Sequence, residues 1–294
     1  MLAIVRLVRP LNAVMAALGV VVGALVAIGP LSLTDPSERI AVLLASIAAL
    51  LITGGGNALN DVVDAQVDAV AHPRRPIPSG ELGLGSVRRI ALILFASGVL
   101  LCVVLLVRSG RPLPLVVALF NCALLWAYER RLKVAGLSGN VAVAYLSGSV
   151  FLFGALAVLD LPSNGASLQL GAAAILVGLA LLANLAREVA KDLQDIEGDR
   201  GHRQTFPMTS GTSAARRVVV GTLCAAVAAS VLPTWPLHVF APLPYLPLVL
   251  AADATFLYAA ATVAATPARC ADAAKVAMLI ALAAFVAGAV GMRG

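Results

Sequence analysis

The sequence predicts an all-α membrane protein of nine transmembrane helices, arranged as two related four-helix units plus one, and three observations carry that prediction. Hydrophobic residues make up 61% of the 294 and charged residues only 12%, too little polar surface to clothe a soluble domain. Apolar runs bounded by Pro, Gly and charge recur along the chain, each reaching or approaching the roughly 20 residues that cross a bilayer. A polar pattern also occurs twice, about 130 residues apart, each time at the end of a long apolar run.

The first run, from Pro10 to about Ile28, is long enough to span and has no clear small-residue cleavage site, so it reads as a helix rather than a leader. The full set of spans lies near 10–29, 38–60, 87–107, 112–128, 137–158, 168–187, 214–232, 243–264 and 271–291. Short connections follow spans one, three, five and seven, whereas spans two and six run on into polar segments at 61–86 and 188–213. Because the repeated pattern ends spans two and six, spans one to four and five to eight read as related units with span nine added, in one transmembrane domain over residues 1–294. Their shared interface is where the two patterns would meet.

Nine spans place the N-terminus and the ends of the even-numbered helices on one membrane face. Seventeen of the 21 Lys and Arg residues fall there, Lys275 among them, and only Arg39, Arg108, Arg111 and Arg293 fall on the other. That bias predicts a cytoplasmic N-terminus, cytoplasmic polar segments and an outside C-terminus. The pI of about 9.5 then suits anionic headgroups and an anionic substrate rather than nucleic acid.

The first copy of the pattern is Asn57, Asp61, Asp64 and Asp68, and the second is Glu188, Asp192, Asp195 and Asp199, both spaced four, three and four. At about 100° per residue such positions form one stripe of oxygen ligands on a helix. An isolated Asp in a membrane costs on the order of 3 kcal/mol, so two carboxylate stripes call for a water-facing end and a neutralising cation. They also lie at predicted helix C-termini, where negative charge is unfavourable and capping explains little. The stripes therefore predict a cage for hard divalent cations, Mg²⁺ ions bridging Asn57, Asn60, Asp61, Asp64, Asp68, Asp192, Asp195 and Asp199 to a diphosphate. Basic partners stand in the right segments: Arg74 and Arg75 in a proline-stiffened loop after stripe one, Tyr128 and Lys133 at the end of span four, and Arg187, Lys191 and Arg203 interleaved with stripe two.

These residues resemble the UbiA superfamily of intramembrane prenyltransferases. Asn60-Asp61-Val62-Val63-Asp64-Ala65-Gln66-Val67-Asp68 is similar to its NDxxDxxxD motif, and Arg75-Pro76-Ile77-Pro78-Ser79-Gly80 to its RPIPSG loop. Lys191-Asp192-Leu193-Gln194-Asp195-Ile196-Glu197-Gly198-Asp199 resembles the second motif in the form KDxxDxEGD. With Arg9-Pro10-Leu11-Asn12 at the start and Arg187-Glu188 before the second motif, the pattern most resembles the archaeal geranylgeranylglyceryl phosphate geranylgeranyltransferases. One departure is Thr205-Phe206-Pro207, where the family usually has Leu-Pro. The resemblance implies nine helices around a central cavity with a cytoplasmic cap. It also implies ionisation of a polyprenyl diphosphate to an allyl cation captured by a lipophilic acceptor: geranylgeranylglyceryl phosphate, or alternatively an aromatic ring of quinone or chlorophyll-type pathways.

Other readings of single residues stay open. Asn57 and Asn60 could bond locally within the helix end. Glu188 could pair with Arg187, Lys191 or Arg75, and Asn12 could pack or line the cavity. Arg75, Lys133 and Lys191 could be face anchors, as Arg88, Arg89, Arg216 and Arg217 are read to be. Asp253, deep in span eight, is a functional candidate with no assigned role. Cys102, Cys122, Cys224 and Cys270 read as small buried hydrophobes, and His72, His202 and His238 as loop residues. A cation transporter would also place acids among apolar helices, but it would spread polar groups across the membrane rather than gather them at one end.

Overall fold

A computed structural model describes residues 2–161, 165–199, 204–235 and 237–292. Thirteen α-helices occur among them: α1 (Leu2–Val8), α2 (Pro10–Ile28), α3 (Pro36–Val63), α4 (Ala65–Ala71), α5 (Leu84–Ser109), α6 (Leu113–Arg130), α7 (Leu137–Val158), α8 (Ala166–Gln194), α9 (Ile196–Asp199), α10 (Phe206–Ser210), α11 (Thr212–Ala229), α12 (Pro242–Thr262) and α13 (Pro267–Gly291). Nine of these, α2, α3, α5 to α8 and α11 to α13, are long and apolar enough to cross a membrane. No strand occurs among the described residues.

The long helices alternate in direction, and the ends of α3, α6, α8 and α12 and the starts of α2, α5, α7, α11 and α13 share one end of the bundle. Helix α2 packs against α3 and α7, α7 against α8, α8 against α11 and α13, and α13 against α12 and back against α2. The contact of α2 with α7 joins the two four-helix units, and glycines permit it. A Cβ on Gly23 would lie 1.9 Å from the Phe151 carbonyl oxygen, and one on Gly154 would lie 2.0 Å from that of Val20, so each helix brings bare backbone to the other.

Three features depart from the sequence reading. The two motif helices run beyond their apolar stretches, to Val63 and Gln194, because their polar residues turn inward rather than ending the helix. Neither motif lies on one unbroken helix. Helix α3 stops at its C-cap Asp64 (φ −84°, ψ 4°) and restarts as α4, and α8 stops at Asp195 (φ −96°, ψ 9°) before α9. The third position of each pattern thus sits at the break, and the fourth follows on a separate short helix. Helix α1 was also not predicted; at seven residues it is too short to register as a span.

Arg9, between α1 and α2, has φ 50° and ψ 71°. The pyrrolidine ring of Pro10 disfavours the right-handed helical region for the residue before it, and the turn breaks the chain into two helices there. A left-handed backbone at Arg9 costs on the order of 1 kcal/mol, and it persists because tertiary contacts hold the side chain. At the opposite end of the bundle, Arg111 clamps three segments: it donates to Glu38 (2.8 and 3.0 Å), Asp160 (2.8 Å) and the carbonyl of Ala157 (2.9 Å).

Gly23→Ala is expected to destabilise the protein by about 2 kcal/mol because backbone must move to admit the methyl. Gly171→Ala, with nothing within 4 Å of its Cβ, serves as the control, with no loss expected. Thermal unfolding in detergent reads both. Arg111→Ala should cost about 3 kcal/mol, since it leaves the carboxylate of Glu38 without its partner. The hydrogen bond from Arg111 holds Asp160 below the usual carboxylate range. With the folded value depressed, that part of the clamp is present above about pH 4 and lost as pH falls further, which a melting series against pH would follow.

Candidate active site

A cavity of about 720 Å³ opens among the long helices, and residues of both motifs border it. Asn57, Asn60, Asp64 and Asp68 line it from the first motif, and Arg187, Glu188, Lys191 and Asp195 from the second. Further in, apolar side chains dominate its wall, Phe151 from α7, Leu179 from α8, Val249 and Phe256 from α12, and Leu282 and Phe285 from α13, with Asn121, Asn184 and Asp253 as polar exceptions. A smaller space of about 530 Å³ adjoins the motif end, bordered by Asp61, Arg9, Arg74 and Arg75.

The carboxylates of the first motif are buried, with Asp61 and Asp68 3% exposed and Asp64 8%. Burial of an unpaired charge would cost several kcal/mol, and each of the three is met by a cation. Arg9 donates to Asp61 at 2.6 Å, and Lys133 to Asp64 at 2.6 Å. Arg75 donates to Asp68 and stands 3.7 Å from Asp61. Lys133 also pairs with Glu129 at 2.9 Å, and Glu129 accepts from Asn60 at 2.9 Å. Tyr128 places its ring under Lys133, 5.9 Å from centroid to Nζ. In the second motif, Glu188 accepts from Arg187 at 2.8 Å and from Lys191 at 2.9 Å, not from Arg75, and Asp192 accepts from Asn140 at 2.8 Å.

The remaining predicted positions fall as follows. Asn12, Tyr128, Lys133 and Arg75 line the main cavity. Asp61 and Arg74 border the smaller space, and Asp192 borders neither. The side chain of Asp199, together with Arg203 and His202, lies outside the described residues. Asn57 donates to the Val8 carbonyl at 2.9 Å, tying α3 to α1 while facing the cavity. His72 is a loop residue, as read, at the C-cap of α4, and it borders both spaces. Asp253 lines the cavity and accepts from Ser230 at 2.8 Å. All four cysteines are free, but the buried reading fails for Cys224, which is exposed on α11, and Cys122 is half-buried.

Several site residues were not singled out from sequence. Glu129 lies four residues before Lys133, a helical pairing distance that was readable. Arg9 belongs to the Arg9-Pro10-Leu11-Asn12 segment, and Asn140 had no signal at all. Lys275 was counted as a face charge, yet it lines the cavity.

The donors that both motifs present are all carboxylate or amide oxygens, a set whose chemistry fits a hard divalent cation. Among the described residues no three His, Cys, Asp or Glu side chains lie close enough together to hold an ion, and basic side chains neutralise the first-motif acids instead.

Nine apolar helices, eight of which line a cavity that is charged at one end, define a multi-pass membrane protein. Residues 11–287 match the UbiA prenyltransferase family, and the chain belongs to it. It is an intramembrane prenyltransferase. Among curated relatives, a digeranylgeranylglyceryl phosphate synthase of Methanopyrus kandleri is 42% identical over 98% of this chain and 99% of its own length. Among solved structures, one described as giving structural and mechanistic insights into digeranylgeranylglyceryl phosphate synthase in membranes has a TM-score of 0.73 at 28% identity, covering 99% of this chain and 98% of that one. A UbiA homologue from Archaeoglobus fulgidus bound to DMAPP and Mg²⁺ has a TM-score of 0.66 at 13% identity, covering 99% of both chains, which shows the common fold.

Lys133→Met should destabilise the protein by about 3 kcal/mol by leaving Asp64 and Glu129 without their shared cation. Adding Asp64→Asn should recover part of that loss, and the coupling is read from unfolding of both single variants and the double one.

Proposed function

We propose that this chain transfers a geranylgeranyl group from its diphosphate to geranylgeranylglyceryl phosphate in ether-lipid synthesis. The observation that carries the reading is the single cavity that joins residues of both acidic motifs to an apolar interior. The relatives named digeranylgeranylglyceryl phosphate synthase, similar over nearly the full chain, support the choice of acceptor. Asn57, Asn60, Asp61, Asp64, Asp68, Asp192, Asp195 and Asp199 are the residues that would hold about two Mg²⁺ ions. When bound, such ions supply positive charge that stabilises a departing diphosphate.

Arg75, Lys133 and Lys191 bind and orient the diphosphate, with Arg74, Arg187, Tyr128 and Arg203 around them. As the allylic C–O bond breaks, its electron pair leaves with the diphosphate, and these fixed cations stabilise the charge that develops. The apolar wall holds the prenyl tail and excludes water from the allyl cation, so a hydroxyl oxygen of the acceptor captures it and loses its proton. Asn12 and Glu188 border the acceptor's part of the cavity. The motif end faces the cytoplasm with the N-terminus, and the C-terminus lies outside, a reading that the seventeen-to-four division of basic residues supports.

Purified protein given Mg²⁺, geranylgeranyl diphosphate and a panel of glycerophosphate and aromatic acceptors is expected to release diphosphate and yield the diether, identified by mass. Asp64→Ala and Asp195→Ala should each lower kcat by about 100-fold or more. Unchanged turnover in both variants would exclude the mechanism, and preference for an aromatic acceptor would replace the substrate. Chelation with EDTA should abolish turnover reversibly.

A further inference from the structure

The cations of the cavity are not equally occupied. Arg9, Arg75 and Lys133 are each paired with first-motif carboxylates, and Lys191 with Glu188. Lys275, on α13, has no ion pair or hydrogen bond to any described residue, although it lines the cavity. Arg187 spends one terminal nitrogen on Glu188, and its Nε is buried with no partner. A buried guanidinium N–H left unsatisfied is expensive unless something else accepts from it.

These two residues are at matched depth. Arg187 lies seven residues before the end of α8 at Gln194, and Lys275 eight residues after the start of α13 at Pro267. At 1.5 Å per residue both are about 10 to 12 Å from the motif end, on antiparallel helices that pack together. Below each, past Asn184 on α8, apolar side chains take over the cavity wall: Leu179 two turns further along α8, and Met278, Leu282 and Phe285 at helical spacing along α13. Two cations, Arg187 through its unpartnered Nε and Lys275 through its ammonium, thus have donors left to offer a ligand. That matches a phosphate monoester dianion whose tail runs inward.

We propose that Arg187, reassigned here from the diphosphate to the acceptor, and Lys275 form a second anion site beside Glu188 and inward of the motif aspartates, which binds the phosphate monoester of the acceptor lipid and selects for it. The assignment rests on the acceptor reading above. It places Asn184, buried and one turn inside Arg187, beside the glycerol oxygens. It also explains why a cation is present on α13, which carries neither motif.

The test separates this site from the function it serves. With wild-type protein in EDTA, geranylgeranylglyceryl phosphate should bind, read by a thermal shift, while its phosphate-free alcohol binds at least about tenfold more weakly. Lys275→Met should remove that preference, and Lys275→Arg should restore it. In steady-state kinetics with Mg²⁺, Lys275→Met should raise KM for the phosphorylated acceptor about tenfold relative to the alcohol, with KM for geranylgeranyl diphosphate unmoved. Inorganic phosphate in the EDTA assay tests whether the headgroup suffices: competition that disappears in Lys275→Met supports the site, and competition that persists there overturns it. A rise in donor KM instead would assign Lys275 to the diphosphate and overturn the proposal, as would equal loss for both acceptors. Metal-independent, Lys275-dependent binding without transfer would uphold the anion site and refute the acceptor reaction. Transfer unaffected by Lys275→Met would do the reverse.

Discussion

Buried carboxylates cannot remain charged in an apolar bundle without a countercharge, and the structure is organised around that requirement. Asp61, Asp64 and Asp68 are almost wholly enclosed, and their neutralisation recruits Arg9 from the start of α2, Arg75 from the loop after α4 and Lys133 from beyond α6. Each ion pair closes a different segment over the cavity. The same requirement accounts for the left-handed backbone at Arg9, since its side chain is held by Asp61 on α3. A ligand that brings its own positive charge to the acids would release these side chains to meet the ligand's negative charge.

The second half of the molecule solves the problem differently. Its acids are less enclosed, Glu188 is shared between Arg187 and Lys191, and Asp192 is tied to α7 through Asn140. The two halves are brought to one cavity by the crossing of α2 and α7, where Gly23 and Gly154 let each backbone touch the other. A packing detail in the apolar interior therefore sets the distance between polar motifs at the bundle end. The break of α3 at Asp64 and of α8 at Asp195 preserves the repeat at the level of backbone geometry, although neither motif forms the continuous stripe that its spacing suggested.

Helix number, helix order and the gathering of acids at one end were legible in the sequence because bilayer thickness imposes a length on every span and water-free surroundings forbid stray charge. The span at 137–158 matches α7 to the residue, and the motif helices start two residues early and run on where polar positions turn inward beyond the apolar run. The oxygen-only character of the motifs, and the basic residues beside them, were equally plain from residue type. Pairing was not. Arg9 meets Asp61 across 52 residues and Lys133 meets Asp64 across 69, and no local pattern encodes which cation reaches which acid. Lys275 shows the same limit: counting charges along the chain assigns a residue to a membrane face, but which side of a helix it occupies depends on how that helix is rotated against its neighbours. Composition and periodicity determined that this chain spans a membrane and concentrates acids at one end. Only the packing of α8, α12 and α13 decided which side chains share the cavity, because rotation about a helix axis is set by its partners rather than by its own sequence.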